Sequence, residues 1–315
     1  MSARHFLSVT DFNRDELLQT LRLAHAMKQD PAAYRTTLAG KTLGMIFQKR
    51  STRTRVSFEV GMYQLGGHAL FLSSADIQIG RGETIADTSR VLSRYVDGMM
   101  ARLYGHDTIE ELARYSSVPV INGLTDLLHP CQTLADAMTM VEHYSAAGSF
   151  DPAVLQGKTL CYVGDAANNM AHSLMLTGAA LGFHVICVAP QGYWPDAAIM
   201  DKAQALAKDT GATIAQTDDR DAVSGAHVVY SDVWVSMGMD DEKERRLRDL
   251  ADYQVDAAMM ATAADDAVFM HCLPAHRGEE VSAEVCDGPQ SIIFDEAENR
   301  LHAQKALMAT LMADA

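Results

Sequence analysis

Lys49-Arg50-Ser51-Thr52-Arg53-Thr54-Arg55 sets four cations and three hydroxyl residues into seven positions of a chain whose formal net charge is -15. The apolar run Leu43–Phe47 precedes it. Behind it Val56, Val60 and Tyr63 share one helical face, and Phe58, Met62 and Leu65 another. The spacing predicts a strand, a turn and a helix that Ser51 or Thr52 would cap. Backbone N–H groups, hydroxyls and guanidinium groups at a helix start form an anion site, best suited to a phosphate. Basic runs at helix ends are also common on solvated surfaces, so the segment alone does not name its anion. The chain has no GxxxxGK[ST]. Gly80-Arg81-Gly82 starts like a dinucleotide fingerprint, but Ile85 stands where its third glycine belongs. Neither ATP nor NAD is therefore expected.

Other segments bear reactive groups behind apolar runs. Arg102 follows Gly98–Ala101. His129-Pro130-Cys131-Gln132 precedes a helical stretch, Gln132–Tyr144, with proline placed as at a helix start. There His129 can donate to a carbonyl oxygen, and Gln132 can accept from an NH2 group. Asn168 and Asn169 lie in the turn after Thr159–Val163. Asp232, Ser236 and Met237 follow His227–Tyr230. They offer a partner for an ammonium group, a hydrogen bond for a carboxylate and a soft apolar wall. Cys272 follows Ala267–Met270, between His271 and Leu273-Pro274. Each feature has a bland counterpart: a solvated arginine, a capping loop, turn asparagines, a buried thiol. No metal is expected, since His129 and Cys131 lack further ligands at characteristic spacing.

The elements that position these groups alternate. Leu43–Phe47, Ala69–Leu72, Gly98–Ala101 and Pro119–Asn122 read as one series of strands. Thr159–Val163, His184–Val188, Thr213–Ala215, His227–Tyr230 and Ala267–Met270 read as a second. Helical stretches separate them. The fold class is therefore α/β: two doubly wound parallel-sheet domains with a ligand cleft between them. The break falls at Ala146-Ala147-Gly148-Ser149. It gives a first domain over 1–146, a second over 147–290, and a C-terminal helix within 291–315 expected to pack back on the first.

Composition narrows the partners. A chain of 315 residues, 48% hydrophobic and 21% charged, is long enough for two cores. Its acidity argues against nucleic acid. It has neither a basic amphipathic face nor a spanning apolar run, so no membrane partner is expected. Five dispersed cysteines without a CxxC pair and an N-terminus without a secretory leader imply reduced thiols and a cytoplasmic location.

Phe47–Arg55 resembles the carbamoyl-phosphate motif of the aspartate/ornithine carbamoyltransferase family. Four further segments match that family in the same order: Ala101-Arg102, His129-Pro130-Cys131-Gln132, Asp232–Gly238 with its DxxxSMG spacing, and His271-Cys272-Leu273-Pro274. The resemblance runs almost end to end. It implies transfer of a carbamoyl group from carbamoyl phosphate to an amine, with no metal or organic cofactor. Ser51, Thr52, Arg53, Thr54, Arg55 and Arg102 would hold the phosphate. His129, Pro130, Cys131, Gln132, the Leu273 carbonyl and Arg300 would hold the carbamoyl group. DxxxSMG is the spacing of the family's ornithine enzymes, so the acceptor would be the side-chain amine of L-ornithine, giving citrulline and phosphate. Asp232, Ser236, Met237 and either Asn168 or Asn169 would bind it. Cys272 and Asp232 would orient and deprotonate the amine, while Arg102 and His129 stabilise the developing oxyanion. Gln78, in the polar loop 73–83, would serve a neighbouring subunit of a homotrimer. Putrescine or an acylated ornithine is the nearest rival acceptor. A regulator that only binds carbamoyl phosphate and a dehydrogenase are rivals of other classes; the intact motifs oppose the first and the missing fingerprint the second.

Overall fold

The computed structural model describes residues 3–74, 82–236 and 238–313. Gln78 and Met237, both read above as substrate contacts, lie outside the described residues. The chain forms two compact units. The first comprises Met1–Met138, Ala146–Pro152 and Glu298–Ala315; the second comprises Thr139–Ser145 and Ala153–Ala297.

In the first unit the strands are β1 (Thr42–Phe47), β2 (His68–Ser73), β3 (Gly98–Arg102) and β4 (Val120–Leu124). They pair in the order β2-β1-β3-β4, all parallel. β3 and β4 are buried at every position, as expected for parallel strands covered on both faces, whereas the edge strand β2 is largely exposed. The helix α1 (Arg14–Gln29) precedes them, and α2 (Thr52–Gln64), α3 (Ile85–Leu92) and α4 (His106–Tyr115) connect them in turn. A fifth, α5 (Pro130–Tyr144), starts in this unit and ends in the second. Chain order reverses between β1 and β3. Loops leaving the carboxyl ends of those two strands diverge there, which is where open α/β sheets place ligands. Gln48–Ser51 and Arg102 occupy that position.

The second unit holds β5 (Thr159–Val163), β6 (His184–Val188), β7 (Ile214–Thr217), β8 (Val228–Tyr230) and β9 (Val268–Met270), in the parallel order β7-β6-β5-β8-β9. Its helices are α6 (Asn169–Leu181), α7 (Ala197–Thr210), α8 (Lys243–Asp249), α9 (Ala257–Met260) and α10 (Ala283–Cys286). Here the switch lies between β5 and β8. The β5 end carries Gly164–Asn168; the β8 end carries Ser231 and Asp232. Gly164 has φ +118, and a Cβ there would stand 2.8 Å from Trp234 Nε1, so only glycine fits this turn. The core beside it packs Cys161, Val163, Val229, Phe269, Val281 and Ile293.

A last helix, α11 (Ile293–Met312), has its first turn in the second unit and the rest in the first. It falls within the stretch 291–315 expected for a C-terminal helix. Within the first unit it lies close on α2: a Cβ on Gly61 would come within 3.0 Å of Met308 Cε and 3.2 Å of Lys305 Cγ. Among the described residues no helix is long and apolar enough to cross a membrane.

Candidate active site

In the first unit Ser51 has extended backbone and its hydroxyl accepts from Thr54 N at 3.2 Å, which makes it the N-cap of α2. Thr54, 1% exposed, turns its own hydroxyl inward. That Oγ1 accepts from Arg300 Nη2 at 3.2 Å and Arg102 Nη1 at 3.5 Å. Arg300 Nη1 also donates to Gln132 Oε1 at 2.6 Å, and Gln132 Nε2 donates to Asp136 at 2.8 Å. Gln304 completes the frame. The single proton of Ser57 goes to Arg53 O at 2.7 Å, so Gln304 presents its NH2 to Ser57 Oγ. Its oxygen then accepts from Arg300 Nη2 and Nε at 2.9 and 3.0 Å. Two buried arginines thus rest against neutral side chains: Arg102 against Thr54, and Arg300 against Thr54, Gln132 and Gln304.

The same arginines act on His129. Burial and the neighbouring Arg300, Arg102 and Arg53 hold its imidazole well below the usual histidine range, so the ring is neutral at pH 7. It can donate one hydrogen bond but adds no charge. Pro130 is the first residue of α5. Cys131 turns away: its Sγ lies 3.2 Å from Asn122 O, and burial pushes the thiol up to about 12. It packs and caps a carbonyl; any contact it makes with a ligand is through its backbone.

The cation run does not act as one cluster. Arg53 belongs to the group around His129. Lys49 pairs with Asp126 and lies over the Tyr104 ring at 4.5 Å. Arg55 pairs with Glu59 at 3.1 Å and covers the Phe71 ring at 3.8 Å. Its guanidinium faces the exposed side of α2, so it is not brought together with Arg102 and Arg300.

In the second unit Asp232, 9% exposed, and Cys272 leave the ends of the adjacent strands β8 and β9. Cys272 Sγ donates to Asp232 Oδ1 at 3.1 Å. Two carboxylates at 0% exposure hold the Cys272 turn: Glu296 accepts from His271 N at 2.8 Å, and Glu280 lies 3.2 Å from His271 Nε2. His271 Nδ1 accepts from Leu273 N at 2.9 Å, so its proton sits on Nε2 and points at Glu280. Leu273 is held at φ +59, a left-handed conformation that leucine rarely adopts, and its bond to Pro274 is cis. Asp232, His271 and Cys272 offer ligand atoms within 4.8 Å of one another, but both nitrogens of His271 are engaged by the turn itself.

Asn168 caps α6. Its oxygen accepts from Met170 N and Ala171 N, and its nitrogen donates to Tyr162 OH and Asp165 O, so its amide is fully used. Asn169, the first residue of the helix, lies beside that cap. Ser236 is half-buried in the loop after β8. Arg246 braces this loop: its Nη1 donates to Asp165 at 2.5 Å and to Trp234 O at 3.2 Å. Sequence reasoning did not single out Arg246, Asp165, Gln304 or Glu296. For Glu296 a signal existed: Glu296, Asn299, Arg300 and Gln304 recur at helical spacing, polar where a docked helix should be apolar.

A buried arginine beside a capped helix start at one switch point and an acid–thiol pair at another are groups that a two-unit group transferase would use. The chain belongs to the aspartate/ornithine carbamoyltransferase family: residues 4–142 match its carbamoyl-P binding domain and residues 156–311 its Asp/Orn binding domain. It is 53% identical to an ornithine carbamoyltransferase of Oceanobacillus iheyensis, over 100% of this chain and 96% of that one. It is 54% identical to one of Symbiobacterium thermophilum, over 99% of each. The solved ornithine carbamoyltransferase of Pyrococcus furiosus is 48% identical and superposes with a TM-score of 0.93, over 100% of this chain and 98% of that one.

Proposed function

We propose that the chain catalyses the ornithine carbamoyltransferase reaction, moving the carbamoyl group of carbamoyl phosphate to the side-chain amine of L-ornithine to give L-citrulline and phosphate. The observation that bears most on the acceptor is the pairing of Cys272 with Asp232 at 3.1 Å, at the head of the segment that continues through Ser236.

The incoming amine is protonated near neutrality, with an ordinary pKa near ~10.4 as for lysine, and must lose a proton before it attacks. Asp232 attracts the ammonium form, and Asp232 with Cys272 orients and deprotonates it. Asn169 is left to hold the α-carboxylate, since the amide of Asn168 is committed to its cap. Ser236 and Met237 complete the ornithine set. The phosphate lies on Ser51, Thr52, Arg53, Thr54 and Arg102. The Leu273 carbonyl and Gln132 take the carbamoyl NH2 group. As the carbonyl becomes tetrahedral, Arg102, Arg300, Thr54 and the neutral N–H of His129 stabilise its oxygen. The C–O bond to phosphate then breaks. Arg55, engaged with Glu59 and Phe71, is left out of the contact set. The reaction belongs to arginine metabolism in the cytoplasm. The working form is a homotrimer in which Gln78 reaches a neighbouring site.

The test is citrulline formation with carbamoyl phosphate and a panel of L-ornithine, putrescine and Nα-acetyl-L-ornithine. Only L-ornithine should be turned over well. Equal turnover of putrescine would remove the carboxylate contacts from the reading, and preference for the acetylated amino acid would replace the acceptor.

A further inference from the structure

Beyond Pro274 the chain makes a tight turn at His276–Val281. Gly278 takes φ +91, Glu279 N donates to His276 O at 2.9 Å, and Gly278 N donates to Val281 O at 2.8 Å. The turn folds three side chains onto one point. His276 Nδ1 lies 3.5 Å from Glu279 Oε2 and 3.9 Å from Glu280 Oε2. Glu280 is 0% exposed. Its Oε1 accepts from His276 N and approaches His271, but Oε2 is buried with no hydrogen-bond donor. A carboxylate oxygen withdrawn from water without a partner is costly, and a cation is the partner that would relieve it.

We propose that His276, Glu279 and Glu280 bind a first-row divalent transition-metal ion of the zinc class. Tetrahedral zinc with bonds of about 2.0–2.2 Å spaces its donors roughly 3.3–3.6 Å apart. The two measured separations are at or slightly beyond that range, so a few tenths of an ångström of side-chain movement completes the set. The donor chemistry also selects. An imidazole favours zinc, nickel or cobalt over magnesium and calcium, which prefer oxygen ligands. Two carboxylates neutralise the ion, and His276, with its side chain 46% exposed, gives it an entry path and a face for water. Lys243 Nζ lies 3.7 Å from Glu279 Oε1, the oxygen turned away from His276. Arg277 is occupied by Asp287 at 2.6 Å. The set is distinct from Asp232, His271 and Cys272, and it binds the ion through nitrogen and oxygen alone.

The experiment uses the full chain stripped with a chelator. Zn2+ is titrated by calorimetry and Co2+ by absorption spectroscopy, with magnesium in excess throughout. Binding should persist in magnesium. The bound cobalt should show no thiolate charge-transfer band. His276→Ala and Glu279→Gln, both at accessible positions, should each weaken zinc by more than about tenfold, since even outer-shell partners of a metal are worth that much. Cys272→Ser should leave this affinity unchanged. A thiolate band, loss of the zinc site in Cys272→Ser, equal affinity in wild type and His276→Ala, or no zinc binding at all would each overturn the proposal.

Discussion

The candidate groups of the first unit and those of the second are opposite in charge and in how they are held. In the first unit the ligand groups stand at a helix start and a strand end, and neutral amides and hydroxyls lock the arginines: Thr54 and Gln132 bind Arg300, and Gln304 frames both Arg300 and Ser57. In the second unit Asp232 and Cys272 stand on loops, and buried charged groups behind those loops do the holding: Glu296 and Glu280 for the His271 turn, Arg246 for the segment after β8. An anion half can be built rigidly from secondary-structure ends because backbone N–H groups already point there. A site for an ammonium group has no such backbone device at strand ends, so it depends on side chains and on what stiffens them.

That contrast implies that each unit chiefly serves one ligand, and three measurements can break or sharpen it. The largest effect is expected for Arg53→Ala. Charge-assisted bonds to phosphate contribute about 1.5–3 kcal/mol each, so losing two weakens carbamoyl phosphate by about 100-fold or more. Calorimetry and citrulline formation would show this with thermal stability little changed; wild-type affinity would remove Arg53 from the anion half. Asp232→Asn should act on the other half alone. Binding of an ornithine analogue should fall about 10-fold to 100-fold, because an amide cannot pair with an ammonium as a carboxylate does. Carbamoyl phosphate affinity should survive, and parallel weakening of both ligands would end the division into halves.

The smallest effect concerns pH. His129 is held well below the usual histidine range in the fold, whereas the unfolded chain takes a proton near ~6.5. Below that value the unfolded state binds the proton and the folded state does not. Stability is therefore kept above pH ~6.5 and lost as the pH falls beneath it, by at most about 1.4 kcal/mol for one pH unit. Urea unfolding of wild type and His129→Gln at pH 7.5 and 5.5 should show a shallower loss in the variant. Equal losses would mean that His129 is readily protonated in the folded arginine field.

Much of the architecture was legible because parallel strands buried on both faces leave continuous apolar runs. β5 and β6 fall on the expected stretches residue for residue, and the other strands shift only at their ends. The anion half was legible because its residues are adjacent in sequence. What that adjacency hid is that consecutive side chains on α2 face different ways: Thr54 points inward, while Arg55 points out to Glu59 and Phe71. Asn168 and Asn169 could not be separated from sequence, since which one caps α6 depends on the φ and ψ at which the helix begins. Arg246 and Asp165, 81 positions apart, meet only through tertiary packing, so no local pattern announces them.

The first unit is discontinuous: it contains Met1–Met138 and also Glu298–Ala315. On the ribosome this inverts the usual order. The residues of the second unit, Thr139–Ser145 and Ala153–Ala297, have all been synthesised before Arg300, Gln304 and Met308 emerge. Until then the nascent first unit has α2 and its motif but an open groove along Gly61, and Thr54 and Gln132 lack Arg300. The anion half, whose motif is written early in the chain, is therefore finished after the half written later. A nascent chain stalled at residue 297 would display the whole Lys49–Arg55 run without the frame that turns it into a site.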